Sequence, residues 1–300
     1  MAQQVIDTTT DHGTYKGDPA KVAFEKVNAN DAELYGYFAG LAAVGGDNML
    51  INCGLPINQR DFAGGALAAG AYGYDRWKAG AGGCNITINA TTGVFTHISG
   101  PLQQVVEAPQ LAWGKKLTIS VEDPSGPISV SVGGATATIA AGTGRRGVTL
   151  TPSGSGNMTV QLTAAGVTYS RPKLERGEFA TPFQARDQGF EEFLCQRYAY
   201  LYKQEPGNAF TNAVVLNSTT LLAFLNFARP MRAKPSARSV ASNVTVTDAG
   251  GSRPFVSQSL IPIGANRIAI TVQSSGLTPG QSAYLGAQGS GFAVLFDADL

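Results

Sequence analysis

The sequence predicts a mainly β protein, with a short N-terminal, coiled-coil-like helix followed by two antiparallel β-sandwich or jelly-roll domains. Three observations carry that expectation. After residue 48, apolar and polar residues alternate in many short runs with the two-residue period of half-buried strands. Glycine is abundant, at 37 of 300 residues, and gathers with Pro and Ser between those runs, where tight turns need positive φ. Heptad-spaced apolar residues are confined to one segment before residue 46.

Residues 1–17 are polar and irregular, and are expected to be pliable unless a partner orders them. Asp18–Pro19 then reads as a helix start, with an N-cap carboxylate and proline at the first helical position. From Ala20 onward, Phe24, Val27, Asp31, Leu34, Phe38 and Leu41 follow alternating spacings of four and three, the pattern of a coiled-coil seam. Gly45–Gly46 closes the helix. A helix of about three heptads is marginal alone. Burial of the seam between copies is therefore favoured over a single amphipathic helix docked on its own domain. Asp31 is the odd member, because a carboxylate on a seam costs stability without a partner.

Beyond residue 48 the strand pattern recurs at Asn85–Asn89, Lys116–Val121, Ile128–Val132, Val148–Thr151 and Met158–Leu162, with turn clusters such as Asp123–Pro127 and Pro152–Gly156 between them. Short alternating strands at this spacing suggest an antiparallel sandwich or jelly roll. Near Arg186 the pattern breaks. Phe190–Arg197 suits a helical turn or two, and Tyr198–Tyr202 alternates again. A second β region follows, with strands at 213–216, Leu221–Phe227, 244–246, Arg267–Val272 and Phe292–Phe296. Pro230, Pro235, Pro254, Pro262 and Pro279 fall between or beside these strands, where a missing amide does least harm. The expected layout is an attachment segment and helix at 1–46, a jelly roll at 47–186 and a β-sandwich at 187–300.

Composition narrows the function. Charged residues make up only 14%, well below the ~25% usual in soluble chains, and charge is depleted where subunits meet. The net charge is +1, which offers no basic footprint for nucleic acid. The densest basic spot, Arg145–Arg146, reads as a solvated turn. No apolar run is long enough for a membrane span. The N-terminus lacks a basic start before an apolar stretch, so the expectation is synthesis in the producer's cytoplasm without a signal peptide. Cys53, Cys84 and Cys195 are widely spaced, and neither His12 nor His97 joins them at zinc-ligand spacing. Three buried thiols, no metal and no cofactor are expected.

No catalytic constellation stands out. A Ser or Cys nucleophile needs an adjacent base, but His97 sits in a strand-like context and His12 in the N-terminal tether. Glycoside cleavage needs two carboxylates about 5–10 Å apart. Glu122 and Asp123 are adjacent, so on a strand they would face opposite sides, and Asp297 and Asp299 share a face but at a fraying end. The chain is therefore read as a non-enzyme, with a polysaccharide depolymerase as the enzymatic alternative.

Several segments resemble a known family. Gly17–Tyr35 (GDPAKVAFEKVNANDAELY) is similar to a segment near the N-termini of tail-fibre and baseplate-attached proteins of tailed phages, in which a large apolar residue usually stands where this chain has Asp31. Asn48–Arg60, Tyr74–Trp77 and Lys173–Phe183 resemble the carbohydrate-binding-module-like jelly roll of such fibres, and Glu191–Tyr198 resembles the join to the distal domain. The landmarks keep their order over residues 17–198. The resemblance implies a homotrimer in the virion, attached to the tail or baseplate by its N-terminus, with a C-terminal domain that meets a host surface polysaccharide or protein. A structural baseplate or fibre-shaft protein is the runner-up.

Recognition of sugars or proteins favours exposed aromatic, Arg and amide groups. Tyr198, Tyr200 and Tyr202 share one strand face, as a core or inter-subunit face or as a stacking platform. Trp77 reads as a core residue flanked by a buried Asp75–Arg76 pair, whereas Trp113 is open to either role. Distal loops 204–212, 248–255 and 274–284 offer Lys203, Asn208, Arg253, Phe255, Gln273 and Tyr284 as receptor contacts, because loops on a rigid scaffold usually carry recognition.

Overall fold

The computed structural model describes residues 5–42 and 47–300, the side chains of 35–42, 242 and 290 excepted. The protein is mainly β, with two helices among the described residues and antiparallel sheets. Helix α1 spans Ala20–Ala42, and its first intrahelical bond runs from Ala23 N to Pro19 O. The preceding segment is a clasp rather than a free tether. Asp18 N and Gly17 N bond back to Asp7 O and Thr10 O, each at 2.7 Å. The Asp18 carboxylate accepts from Asp7 N at 2.8 Å and from Lys26 Nζ at 2.6 Å. The sequence-expected N-cap carboxylate thus ties the N-terminal loop to the second turn of the helix.

On α1, the seam residues Phe24, Val27, Asp31 and Leu34 all face solvent, with Phe24 69% exposed. Phe38 and Leu41 lie outside the residues whose side chains are described. The half-buried positions lie on other faces of the helix, among them Val22, Ala23 and Lys26.

The first β unit has two facing sheets. Its strands are β1 (Gly65–Leu67), β2 (Lys78–Ala79), β3 (Cys84–Ile88), β4 (Val94–Ser99), β5 (Pro101–Val106), β6 (Leu117–Glu122), β7 (Ile128–Val132), β8 (Ala135–Ile139), β9 (Arg145–Leu150), β10 (Met158–Thr163) and β11 (Val167–Arg176). One sheet runs β1-β3-β4-β11-β6-β9 and the other β2-β5-β10-β7-β8. Alternation decides what each strand buries: Ile128, Val130 and Val132 point into the core with Met158, Val160 and Leu162, while Ser129, Ser131 and Gln161 face out.

The landmark segments explain themselves in this frame. Asn52 is buried in a left-handed conformation at φ 62°, which asparagine tolerates better than most residues. Its amide bonds Ile57 N, Ile57 O and Asp75 O, and its own carbonyl accepts from Trp77 Nε1 at 2.7 Å. Lys173–Phe183 forms the end of β11 and a return strap over the outer face of the sheet. Lys173 and Glu175, each 1% exposed, pair at 3.0 Å and both bond Thr181. Gly147 makes room for that strap, because a Cβ there would sit 2.7 Å from Ser120 Cβ and 3.1 Å from Ala180 Cβ. The Arg145–Arg146 pair is part of strand β9 rather than a solvated turn. Arg145 lies 11% exposed between Glu122 and the Phe183 ring, under the strap that sequence alone did not reveal.

Helix α2 (Gln188–Gln196), capped by the Asp187 carboxylate, leads into the second β unit. Strands β12 (Ala199–Gln204), β13 (Ala209–Asn217), β14 (Thr220–Asn226), β15 (Ser236–Asp248), β16 (Gly251–Arg253), β17 (Phe255–Gly264), β18 (Arg267–Ser274) and β19 (Ser282–Asp297) form one eight-stranded sheet. Its order is β16-β15-β19-β13-β14-β18-β17, with β12 beside the C-terminal half of β19. Gln258 of β17 reaches Ser239 of β15 at 3.3 Å, so the sheet curls round its own core of Val215, Leu221, Ile270, Leu285 and Phe292. Pro262 lies within β17 rather than beside a strand. It is tolerated because β17 ends the order and its register shifts there.

A buried polar network joins the two units. Arg60, whose side chain is 7% exposed, bonds Asp297 Oδ2 and Asp299 Oδ2 at 2.7 Å each and lies 3.4 Å from Asp75 Oδ1. Arg76, 1% exposed, bonds Asp299 Oδ1 at 2.7 Å and stacks its guanidinium 3.5 Å from the Tyr198 ring centroid. Asp75 and Arg76 are both buried beside Trp77, as expected, but their partners are Arg60 and Asp299 rather than each other. Gln59 bonds Ala199 O and Leu201 N of β12, and Lys78 Nζ donates to Leu300 O at 2.6 Å. The segment expected to fray is therefore held: Asp299 is only 2% exposed.

Candidate functional site

The residues expected to contact a receptor do not form one loop cluster. Only Asn208 lies between strands, in the connection from β12 to β13, where its carbonyl accepts from Ala287 N. Lys203 is on β12, exposed, and paired with Glu205 at 2.9 Å. Arg253 is on β16 and closes bidentate bonds of 3.0 Å onto Asp248, whose carboxyl is held below its usual range by that hydrogen bond. Phe255 opens β17 and packs against the core. Gln273 is on β18, where its Oε1 accepts from Thr220 Oγ1 at 3.2 Å, and Tyr284 is on β19, 44% exposed. Strands at this end run further than the turn signals suggested, so five of the six side chains expected as loop contacts, all but Asn208, belong to a sheet.

That sheet presents a more coherent surface. Asn212 and Tyr284 are Cα partners across β13 and β19, Phe224 and Ala269 across β14 and β18, and Ala269 and Ile261 across β18 and β17. Val214, paired with Leu222 of β14, is one strand position further along. The inward parity of the same strands, Ala213, Val215, Leu221, Ala223, Ile268 and Ile270, fills the core. The outward parity leaves Val214, Leu216, Phe224, Ile261, Ile263 and Tyr284 exposed. Arg267, at the end of β18, lays its guanidinium 4.0 Å from the Phe224 ring centroid. Rings, branched aliphatics, amides and an arginine, with no acidic side chain on these outward positions, match the make-up of protein-contact surfaces. The sequence carried a signal for this: Leu221–Phe227 (LLAFLNF) is apolar at both parities, so one apolar row had to face out.

The tyrosines of β12 belong to the core. Tyr200 packs on Phe227 and Phe296, and Tyr202 on Phe210 and Phe292, and burial raises both phenols. Tyr198 is 5% exposed beneath Arg76 and bonds Glu107 at 3.1 Å. Trp113 is half-buried over Gly133 and Gly154, with its indole N–H on Gly156 O at 2.9 Å.

The titratable groups are arranged for structure. His97 is fully buried, bonded to Gly100 O at 2.7 Å and Tyr169 OH at 3.1 Å, and burial lowers its pKa. Cys84 lies 3.5 Å from its ring, but burial pushes that thiol up to about 11, which opposes a thiolate nucleophile. Cys53 and Cys195 are likewise buried, free and raised. Asp297 and Asp299 are neutralised by shared arginines. Glu122 pairs with Arg145 and Arg171, while Asp123 leaves the strand at φ 49° to accept from Gly144 N. Among the described residues, no group of three or more His, Cys, Asp or Glu could hold a metal ion. Among the described residues, no helix is long and apolar enough to cross a membrane.

No protein-family model matches the chain, and no curated protein matches it. Among solved structures, it is similar to a Paenibacillus sp. cycloisomaltooligosaccharide glucanotransferase complexed with cycloisomaltoheptaose, at 11% identity and a TM-score of 0.23. The match covers 77% of this chain and 47% of that one, so the chain spans about half of that protein's length. A likeness at this level carries no argument about fold or chemistry.

Proposed function

We propose that this chain is a non-enzymatic adhesion protein of a tailed-phage fibre. In this reading it forms a homotrimer in the virion, attaches to the tail or baseplate through its N-terminal segment, and binds a host surface receptor through its second β unit. The observation that carries the reading is the outward row of Tyr284, Asn212, Phe224 and Ile261 on an otherwise well-packed sheet. Apolar and aromatic side chains left together on a surface favour a macromolecular partner over solvent. The exposed seam on α1 supports self-association on the same grounds, and trimeric presentation would add avidity to weak single contacts. Carboxylates already paired with arginines, and buried thiols held in the neutral form, weigh against hydrolysis.

The test uses the intact chain. Purified protein is expected to compete with phage for adsorption to host cells, and Phe224→Glu and Tyr284→Ala to compete less well while keeping the wild-type solution mass. If either substitution instead lowers the mass, the face joins copies of the chain and the receptor lies elsewhere. Unchanged competition by both variants would remove the face from the receptor site. Shortening of host polysaccharide on incubation would restore the depolymerase reading.

A further inference from the structure

A second surface, at the junction of the two β units, has a different chemistry. It is an open groove of about 490 Å³, walled on one side by residues 60–64 and Tyr72 and on the other by Arg238 and Leu295, with Asp297. Arg60 and Asp297 form a fixed, neutralised floor, because Arg60 is already shared among Asp75, Asp297 and Asp299. Two other charges remain uncommitted. Asp61 is exposed, and Arg238 stands exposed on β15 opposite Leu295 of β19; neither side chain has an ion pair or hydrogen bond among the described residues.

The wall that presents Asp61 is held in a costly conformation. Asp61 sits at φ 54°, a left-handed conformation that a non-glycine residue adopts at a cost. Asn58 pins the turn from both sides, donating to Phe62 O at 2.9 Å and accepting from Phe62 N at 3.0 Å. Gly64 closes it at φ 90°, where a Cβ would lie 2.5 Å from Thr87 Oγ1. The result is a carboxylate carried on a pinned turn on one wall, a free guanidinium on the other, and the half-buried rings of Phe62 and Tyr72 beside them.

From this arrangement we infer that the groove binds a saccharide that carries a carboxylate, such as a uronic acid unit. A guanidinium fork matches a planar oxyanion with two parallel bonds. The Asp61 carboxylate is an acceptor for sugar hydroxyls, and the ring edges suit the apolar C–H face of a pyranose. This inference goes beyond the adhesion reading and does not rest on it, since it concerns a different surface and is tested without phage or host.

The full-length protein is titrated by calorimetry with tri-galacturonic acid and, in parallel, with the neutral trisaccharide maltotriose. The acidic trisaccharide is expected to bind measurably more tightly than the neutral one. Losing a charge-assisted bond in Arg238→Gln should weaken it about tenfold or more, and Asp61→Asn should weaken it to a smaller degree. Because neither side chain has a partner, both variants should keep the wild-type melting temperature, which separates lost binding from lost folding. Equal binding of the two trisaccharides, binding unchanged in Arg238→Gln, or no binding of either one overturns the inference.

Discussion

Asp299 offers the sharpest test of how the two β units are held together. Its two oxygens are divided between Arg60 Nη2 and Arg76 Nη1, at 2.7 Å each, and the side chains concerned are 2%, 7% and 1% exposed. Asp299→Ala removes the carboxylate and leaves Arg76 without its ion-pair partner in a site that water reaches poorly. Arg76 would keep its bond to Val105 O and its stack on Tyr198, while Arg60 would fall back on Asp75 and Asp297. Breaking a buried pair from one side costs roughly 3–5 kcal/mol. At roughly 2–4 °C per kcal/mol in domains of 150–250 residues, this amounts to a fall of roughly 6–20 °C in melting temperature. Scanning calorimetry and urea titration of wild type and variant measure it. The exposed pair Lys116–Glu178, at 57% and 56% exposure, is the control. Lys116→Ala should change stability by less than about 1 kcal/mol, as surface pairs do. A loss below about 1 kcal/mol for Asp299→Ala would refute the reasoning, since the arginines would then have found water or other acceptors at little cost.

Asp75 should give the protein an unusual pH response. Burial pushes its pKa up to about 6 from 3.8, against the lowering by Gln59 and Arg60. Between about pH 4 and 6 the folded state then holds more protons at this site than the unfolded chain, so this group's contribution to stability falls as pH rises. Urea unfolding across that window should show that slope in wild type and lose it in Asp75→Asn; identical slopes would sink the assignment. On α1, Phe24→Ser and Leu34→Ser together should convert an associated protein to monomer in sedimentation equilibrium, with the melting of the β units unchanged. Ser120 buries its hydroxyl without a hydrogen-bond partner among the described residues, so Ser120→Ala should be neutral or stabilising by up to about 1 kcal/mol in chemical denaturation; a clear loss would show that the hydroxyl is bonded after all.

Much of the architecture was legible because it depends on neighbours in the chain. Alternation in Ile128–Val132 and Met158–Leu162 is a property of the strand backbone, which turns successive side chains to opposite faces whatever lies across the sheet. The short helix at Phe190–Arg197 and the buried cysteines are local in the same sense, and Trp77 could be assigned to a core from its size and apolar character. The segment Leu221–Phe227 also carries two apolar parities on one strand, but only the folded sheet decides that Leu221 and Ala223 go inward and Phe224 outward.

What the chain order could not supply is the choice of partners across it. Arg60 and Arg76 lie more than 200 residues from Asp297 and Asp299, and no periodicity links them. The same holds for Asp61 and Arg238, which share a groove only because the two units pack together. Strand lengths in the second unit were likewise set by pairing across the sheet, so expected loop residues became ladder positions: Arg253 opposite Val246 of β15, and Tyr284 opposite Asn212 of β13. Local patterns arise from the geometry of a few bonds, whereas charge pairing, burial of the terminal segment and the shape of the junction arise when distant surfaces exclude water together. Those contacts decide which ionic groups are neutralised and which, like Arg238, are left to meet a ligand.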